Sequence, residues 1–356
     1  MGEFDTRFSK EMKNNTSETK KIFLKEINVL SGIAIFTVVI GHLSFLNDIV
    51  LYIFLRNLIY SFHMPLFMAI SGYLFSRFSR KKIYDFKSYK KFIIKKFFRF
   101  VPPYVFLVSF IFVLKIMASN IFQLKHPVSY EAFLMMFVNP MFGGFVVHLW
   151  FVYALFIIFL LYPLLEKVFA KIDIRLRLAI YCLLATIPMT KVCCLNFVFH
   201  YMPYFHLGAM LVGYKINVKD KLANMLFVSF LLFACASVCQ LKFDFIYLNS
   251  FWSITQAFAG SLFVTLFAIL VSKKDNPVAF FFFLVGSYSF EIYLLHTVGS
   301  EIFGYGIMLF KFPALHRSII IFIGSTIFGL FFPILFTKLL NKVFPKQAIF
   351  LLGKVN

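Results

Sequence analysis

The sequence predicts an all-α, polytopic integral membrane protein with about ten transmembrane helices in a single bundle. Three observations carry that prediction. The chain is 61% apolar over 356 residues, with a mean hydropathy of +0.86, against about 45–50% apolar for soluble domains. Apolar runs of helix length recur from near residue 27 to near residue 340, each close to the ~20 residues that cross a bilayer. The basic residues fall between these runs, and the ~10-residue alternating segments of an outer-membrane barrel do not occur.

In order, the expected spans are 27–46, 54–75, 101–118, 143–165, 177–191, 200–216, 222–240, 251–271, 278–298 and 315–338. The fifth and sixth are the weakest, since "LAIYCLLATIPMTKV" is short and contains Pro188. An even count puts both termini on one side. With the N-terminal tail inside, 29 of the 36 Lys and Arg lie in inner segments. The other 7 are Arg56, Lys115, Lys125, Lys191, Lys242, Lys311 and Arg317. That bias follows the positive-inside rule and places both ends in the cytoplasm. The net charge of +21 is thereby assigned to topology and to an anionic membrane surface; no nucleic-acid partner is expected.

The organisation expected is a basic cytoplasmic tail over 1–25, a transmembrane domain over 26–340 and a cytoplasmic tail over 341–356. The first apolar run continues past signal-peptide length into a full span, so a cleavable leader is not expected. The 54 phenylalanines read as lipid-facing bulk. Cys182, Cys193, Cys194, Cys235 and Cys239 have no zinc-like spacing, and no metal site is expected.

The longest inner segment, "SRFSRKKIYDFKSYKKFIIKKFFRF" over 76–100, carries ten basic residues and one acidic residue with apolar residues interleaved. It reads as a basic amphipathic helix on the inner leaflet, a docking patch for a polyanion such as coenzyme A, or both. Arg77, Lys95, Lys96 and Arg99 are its candidate donor contacts.

Ionisable groups inside spans are costly and usually face the bundle interior. His42 lies near the end of the first run, about 22 Å along a helix from Ile27. His63 opens the second run in "SFHMPLFMAISGYLF", where Pro65 suits a helix's first turn and Ser71-Gly72 permit close helix approach. His148 and Trp150 begin the fourth, and the ninth, "LVGSYSFEIYLLHTVGS", holds Glu291, Tyr293 and His296. All four histidines fall at a similar outer depth, which suggests a shared polar chamber suited to general base chemistry. Clustered histidines also suit a metal, but no compact ligand set appears.

Taken in order, "EINVLSGIAIFTVVIGH", "SFHMPLFMAISGYLF", "KKFFRFVPPYV", "HLWFVYAL" and "LVGSYSFEIYLLH" resemble the membrane-bound acyltransferase 3 family, over about residues 26–340. The resemblance implies transfer of an acyl group, usually acetyl from acetyl-CoA, to a hydroxyl of a bacterial surface sugar or related, possibly lipid-linked, acceptor. It implies a multi-pass protein of the bacterial plasma membrane. It makes His42 the catalytic residue, with His63, Glu291, Tyr293 and His296 around it. Many members carry Arg or Lys eleven residues before that histidine, and here the position is Ser31. Lys25, Arg77 and Arg99 are the candidates to supply that charge. From the residues alone, a transporter of a glycan intermediate and a structural subunit of an export machine also fit; His42-dependent acyl transfer without a gradient separates the enzyme from both.

Overall fold

Among the described residues every regular element is helical. The computed structural model describes residues 25–119, 129–141, 146–187, 189–212, 221–242, 246–273 and 276–353. The expected N-terminal tail apart from Lys25, and most of the inner loop at 215–221, lie outside them. The helices are α1 (25–41), α2 (Val50–Phe78), α3 (Phe86–Ser119), α4 (Tyr130–Val138), α5 (Trp150–Val168), α6 (Ile174–Thr186) and α7 (Leu195–Met210). They continue as α8 (Leu222–Lys242), α9 (Ile246–Ser272), α10 (Pro277–Ser287), α11 (Ser289–Met308), α12 (Ala314–Val343) and α13 (Pro345–Leu351).

Six of these are long and apolar enough to cross a membrane, or seven if the bent pair α10–α11 counts as one span. Among the described residues the protein is thus an all-α polytopic membrane protein with six to seven such spans, where ten were expected. Helices do occupy the other three expected positions, but α1 has 17 residues, α6 has 13 and α7 has 16. At 1.5 Å per residue, α6 rises only about 20 Å, short of a ~30 Å hydrocarbon core.

Two local expectations are corrected. α2 starts at Val50, so His63 sits mid-helix and Pro65 lies inside the helix instead of starting it. Proline removes one backbone N–H, a single lost bond that a 29-residue apolar helix tolerates. The expected continuous span at 278–298 is broken by 86° at Tyr288, whose φ of −112° and ψ of 17° leave the helical region. The break directly follows Gly286-Ser287, the kind of pair at which helices kink.

The chain divides into two units, one of residues up to His63 with 216–333, the other of 64–215 with 334–356. α2 and α12 each contribute to both. In the first unit α8 and α9 pair, and α1 meets α10 backbone to backbone. A Cβ on Gly32 would fall on the Phe282 carbonyl oxygen, and one on Gly286 would fall on that of Asn28. α11 and α12 exchange Ser300 Oγ to Ser325 O (2.9 Å) and Ser325 Oγ to Ser300 O (3.2 Å).

The second unit repeats the glycine device: Gly72 of α2 lies against the Phe205 carbonyl of α7, and Gly208 of α7 against that of Ala69. The close approach expected at Gly72 is therefore made. Around it packs an aromatic core, with Phe75 against Phe92, Tyr162 and Phe205, and Phe159 stacked on Phe100 at 5.8 Å. Phe75, Phe100, Phe159 and Phe205 are buried, so part of the phenylalanine content builds this core; others, such as Phe227 and Phe280, stay exposed.

α3 opens on a cap in which the Ser88 N–H donates to Asp85 Oδ1 at 2.8 Å. The hydrogen bonds from Ser88 hold the exposed Asp85 carboxyl below the usual carboxylate range. The basic segment is thus divided, with 76–78 ending α2 and 86–100 opening α3, continuous with the third span.

Candidate active site

α1 ends at Gly41, and His42 occupies the turn beyond it. A helix end leaves orphan backbone groups. Here Tyr52 of α2 satisfies two: its hydroxyl accepts from the Leu43 N–H at 2.8 Å and donates to the Ile40 carbonyl at 3.0 Å. Leu43, Leu46, Tyr52 and Ile321 form a buried cluster beneath the turn. His42 is thereby fixed at the tip of a pinned helix.

Two further histidines of the same unit converge on it. The His42 ring stands edge-on to His296, with centroids 5.1 Å apart, and to His63 at 6.2 Å. Each ring bonds a carbonyl of its own helix through Nδ1: His42 to Val38 O (2.8 Å), His63 to Ile59 O (2.8 Å) and His296 to Tyr293 O (2.8 Å). A carbonyl oxygen only accepts, so each Nδ1 carries the proton and donates. In a neutral imidazole this makes Nε2 the basic nitrogen. His63 and His296 are buried, so the cluster joins three oriented bases in low-polarity surroundings. Tyr293 packs on His296, with ring centroids 6.1 Å apart. Glu291 is buried in the first turn of α11, where the helix dipole favours negative charge; the break at Tyr288 creates that N-terminus.

Two residues of this cluster were not picked out by the sequence reading. Tyr60 lies 5.4 Å from His42 and 5.1 Å from His63. Arg56 sits over Tyr60 at 5.9 Å and donates from Nη1 to Asn47 Oδ1 at 2.6 Å. It is also within electrostatic reach of His42. The signal was the spacing 56, 60, 63, which puts all three on one face of a helix.

A family model described as an acyltransferase domain matches residues 24–338. The chain belongs to the acyltransferase 3 family. No curated protein and no solved structure matches it. Membership implies acyl-transfer chemistry and an acyl donor, for which an oriented imidazole base is a suitable catalyst.

The remaining candidates of this acyltransferase 3 chain fall into separate settings. Ser31 is buried on α1, three turns before His42 and on the same face. Arg77 and Lys95 are exposed in the second unit. Lys96 enters an aromatic cage there, its Nζ 3.8 Å from the centroid of Phe159 and 5.4 Å from that of Phe92. Arg99 Nη1 donates to the Gly353 carbonyl at 3.3 Å. Gly353 has φ +65°, and a Cβ there would meet the Arg99 carbonyl, so glycine is required both for conformation and for space. His148 is buried just ahead of α5, and Trp150 packs on Phe197 (4.5 Å) and Tyr201 (5.3 Å). Both belong to the second unit, whereas His42, His63 and His296 belong to the first.

The second unit also holds a network that the sequence reading missed. Glu166 pairs with Arg177 at 2.9 Å and with Arg80 at 3.2 Å. His206, fully buried, places Nδ1 3.5 Å from Glu166 and 2.7 Å from the Tyr162 hydroxyl, and its Nε2 donates to Ile174 O at 3.1 Å. These groups lie up to 126 residues apart in sequence, from Arg80 to His206, so only tertiary packing assembles them.

Proposed function

We propose that this protein is an O-acyltransferase that moves acetyl from acetyl-CoA to a hydroxyl of a cell-surface or lipid-linked glycan, with His42 as general base. The observation that carries this reading is the His42 ring, held through Nδ1 by Val38 and flanked by His63 and His296. Nε2 takes the hydroxyl proton, and the oxygen attacks the thioester carbonyl. The tetrahedral intermediate collapses with C–S cleavage, and the imidazolium returns its proton to the departing thiolate. Tyr293 is the donor assigned to the oxyanion, and His63 and Glu291 orient the cluster. Arg77, Lys95, Lys96 and Arg99 supply the positive charge for the donor's phosphates. The frame for this is a multi-pass helical protein of a bacterial plasma membrane, with both termini cytoplasmic and the acceptor arriving from the opposite side.

The test is acetyl transfer by purified protein in detergent, with no gradient. His42→Ala is expected to lower the rate by roughly 10²–10⁴-fold at unchanged yield and donor binding. A loss of a few-fold moves the base elsewhere in the cluster. Unmodified substrate crossing a sealed vesicle, with no acetylated product, sinks the enzyme reading.

A further inference from the structure

Arg56 occupies an unusual electrostatic position. Its guanidinium has two neutral partners, the Asn47 side-chain amide at 2.6 Å and the Tyr60 ring at 5.9 Å. Its Nε is buried and makes no hydrogen bond. Arg80 and Arg177 both pair with Glu166, whereas Arg56 forms no ion pair with a described carboxylate. A charged group in a membrane helix without a counter-ion is costly and usually functional. Asn47 and Tyr60 fix its direction without cancelling its charge. An arginine held this way presents a planar fork of donors that matches a carboxylate or phosphate.

Its distance from the imidazoles narrows the role. Tyr60 is the shared neighbour: its ring lies 5.4 Å from His42 and 5.1 Å from His63, with Arg56 over it. The cation is therefore one aromatic residue removed from the histidines, with Tyr60 their common neighbour. A group it binds lies beside the reacting centre, as a substituent on the same or an adjoining sugar would. We infer that Arg56 binds an anionic group carried by the acceptor beside the hydroxyl that is acylated, which makes the acceptor an anionic glycan. This inference rests on the reading of His42 as the base.

The experiment is product analysis. Surface and lipid-linked glycans are isolated from cells carrying the wild-type protein, Arg56→Gln, Arg56→Lys or His42→Ala, and the acylated fragments are sequenced by tandem mass spectrometry. In the wild type, the acylated sugar or its neighbour is expected to carry a carboxylate or a phosphate, which differ in mass and in lability to acid. Arg56→Gln is expected to lower acylation at least tenfold, and Arg56→Lys to keep an intermediate level. A neutral acylated sugar with neutral neighbours overturns the inference, and that wild-type result needs no variant to fold. Full acylation by Arg56→Gln, with none by His42→Ala, overturns it while leaving the base assignment standing. Acylation that persists in His42→Ala overturns the base assignment and this inference together.

Discussion

Glu166 gathers Arg177 at 2.9 Å, Arg80 at 3.2 Å and His206 at 3.5 Å around one carboxylate. The histidines of the first unit are arranged otherwise. Each gives its Nδ1 proton to a carbonyl of its own helix, and the nearby cation, Arg56, is held by an amide and a ring. In the first arrangement both arginines have a carboxylate partner and the imidazole is anchored through Nε2. In the second, Nε2 is the basic nitrogen and the positive charge is uncancelled. Burial of polar groups is common to both, so burial alone does not distinguish a structural network from a reactive one. Direct ion pairing and the choice of ring nitrogen do.

That contrast can be broken most sharply by exchanging losses. His42→Asn keeps polarity and much of the size but cannot act as a base; transfer is expected to fall by at least about 10²-fold with thermal stability unchanged. Glu166→Gln is expected to do the reverse. Removing one partner of a buried ion pair costs about 3–5 kcal/mol, read as a lowered melting temperature in detergent, while turnover per folded molecule persists. A stable, inactive Glu166→Gln protein would place that network in the reaction and erase the distinction.

A smaller effect is expected at the helix contacts. Gly72→Ala and Gly32→Ala each drive a methyl into a neighbouring carbonyl, and overpacking of this kind costs about 1–3 kcal/mol. Gly306 has nothing near its missing Cβ, so Gly306→Ala is expected to be neutral or to stabilise by about 0.8–1 kcal/mol through helix propensity. Thermal melts of the three variants check this. The least effect is expected at the basic segment: Lys96→Met removes a cation–π contact worth about 0.5–2 kcal/mol. Lys95→Glu, on an exposed side chain, is expected to weaken acetyl-CoA binding without a change in melting. Calorimetry on both variants separates anchor from donor contact.

Hydropathy made the helices legible because a bilayer-crossing segment is written contiguously in sequence; it located α2, α3, α5, α8, α9 and α12. It also marked α1, α6 and α7, which are shorter helices, since an apolar composition does not report where a helix stops. Pro65 misled for a related reason. The preference of proline for a first turn describes an average helix, while α2 runs through it with apolar residues on both sides. The break at Tyr288 left only Gly286-Ser287 as a trace. His42, His63 and His296 could be nominated as rare ionisable groups in apolar runs, and the structure brings these three together. Arg56 escaped because its charge was spent on the topology argument, and Glu166 because its partners come from three separate segments.

The paired glycines have a consequence for the angular setting of α1. Where two helices touch through bare backbone, as at Gly32 with Phe282 and Gly286 with Asn28, neither can roll about its axis without driving a carbonyl into the other chain. α1 is keyed there like a shaft, and its bearing is carried about 15 Å along the axis to His42. A side chain stands roughly 6 Å from that axis, so ten degrees of roll would displace the imidazole by about 1 Å. A misplacement of that size can cost about 10²-fold in rate. Glycines three turns below the base thus act as its aiming mechanism, and an alanine at Gly32 is a change in the heading of His42 as much as a change in packing.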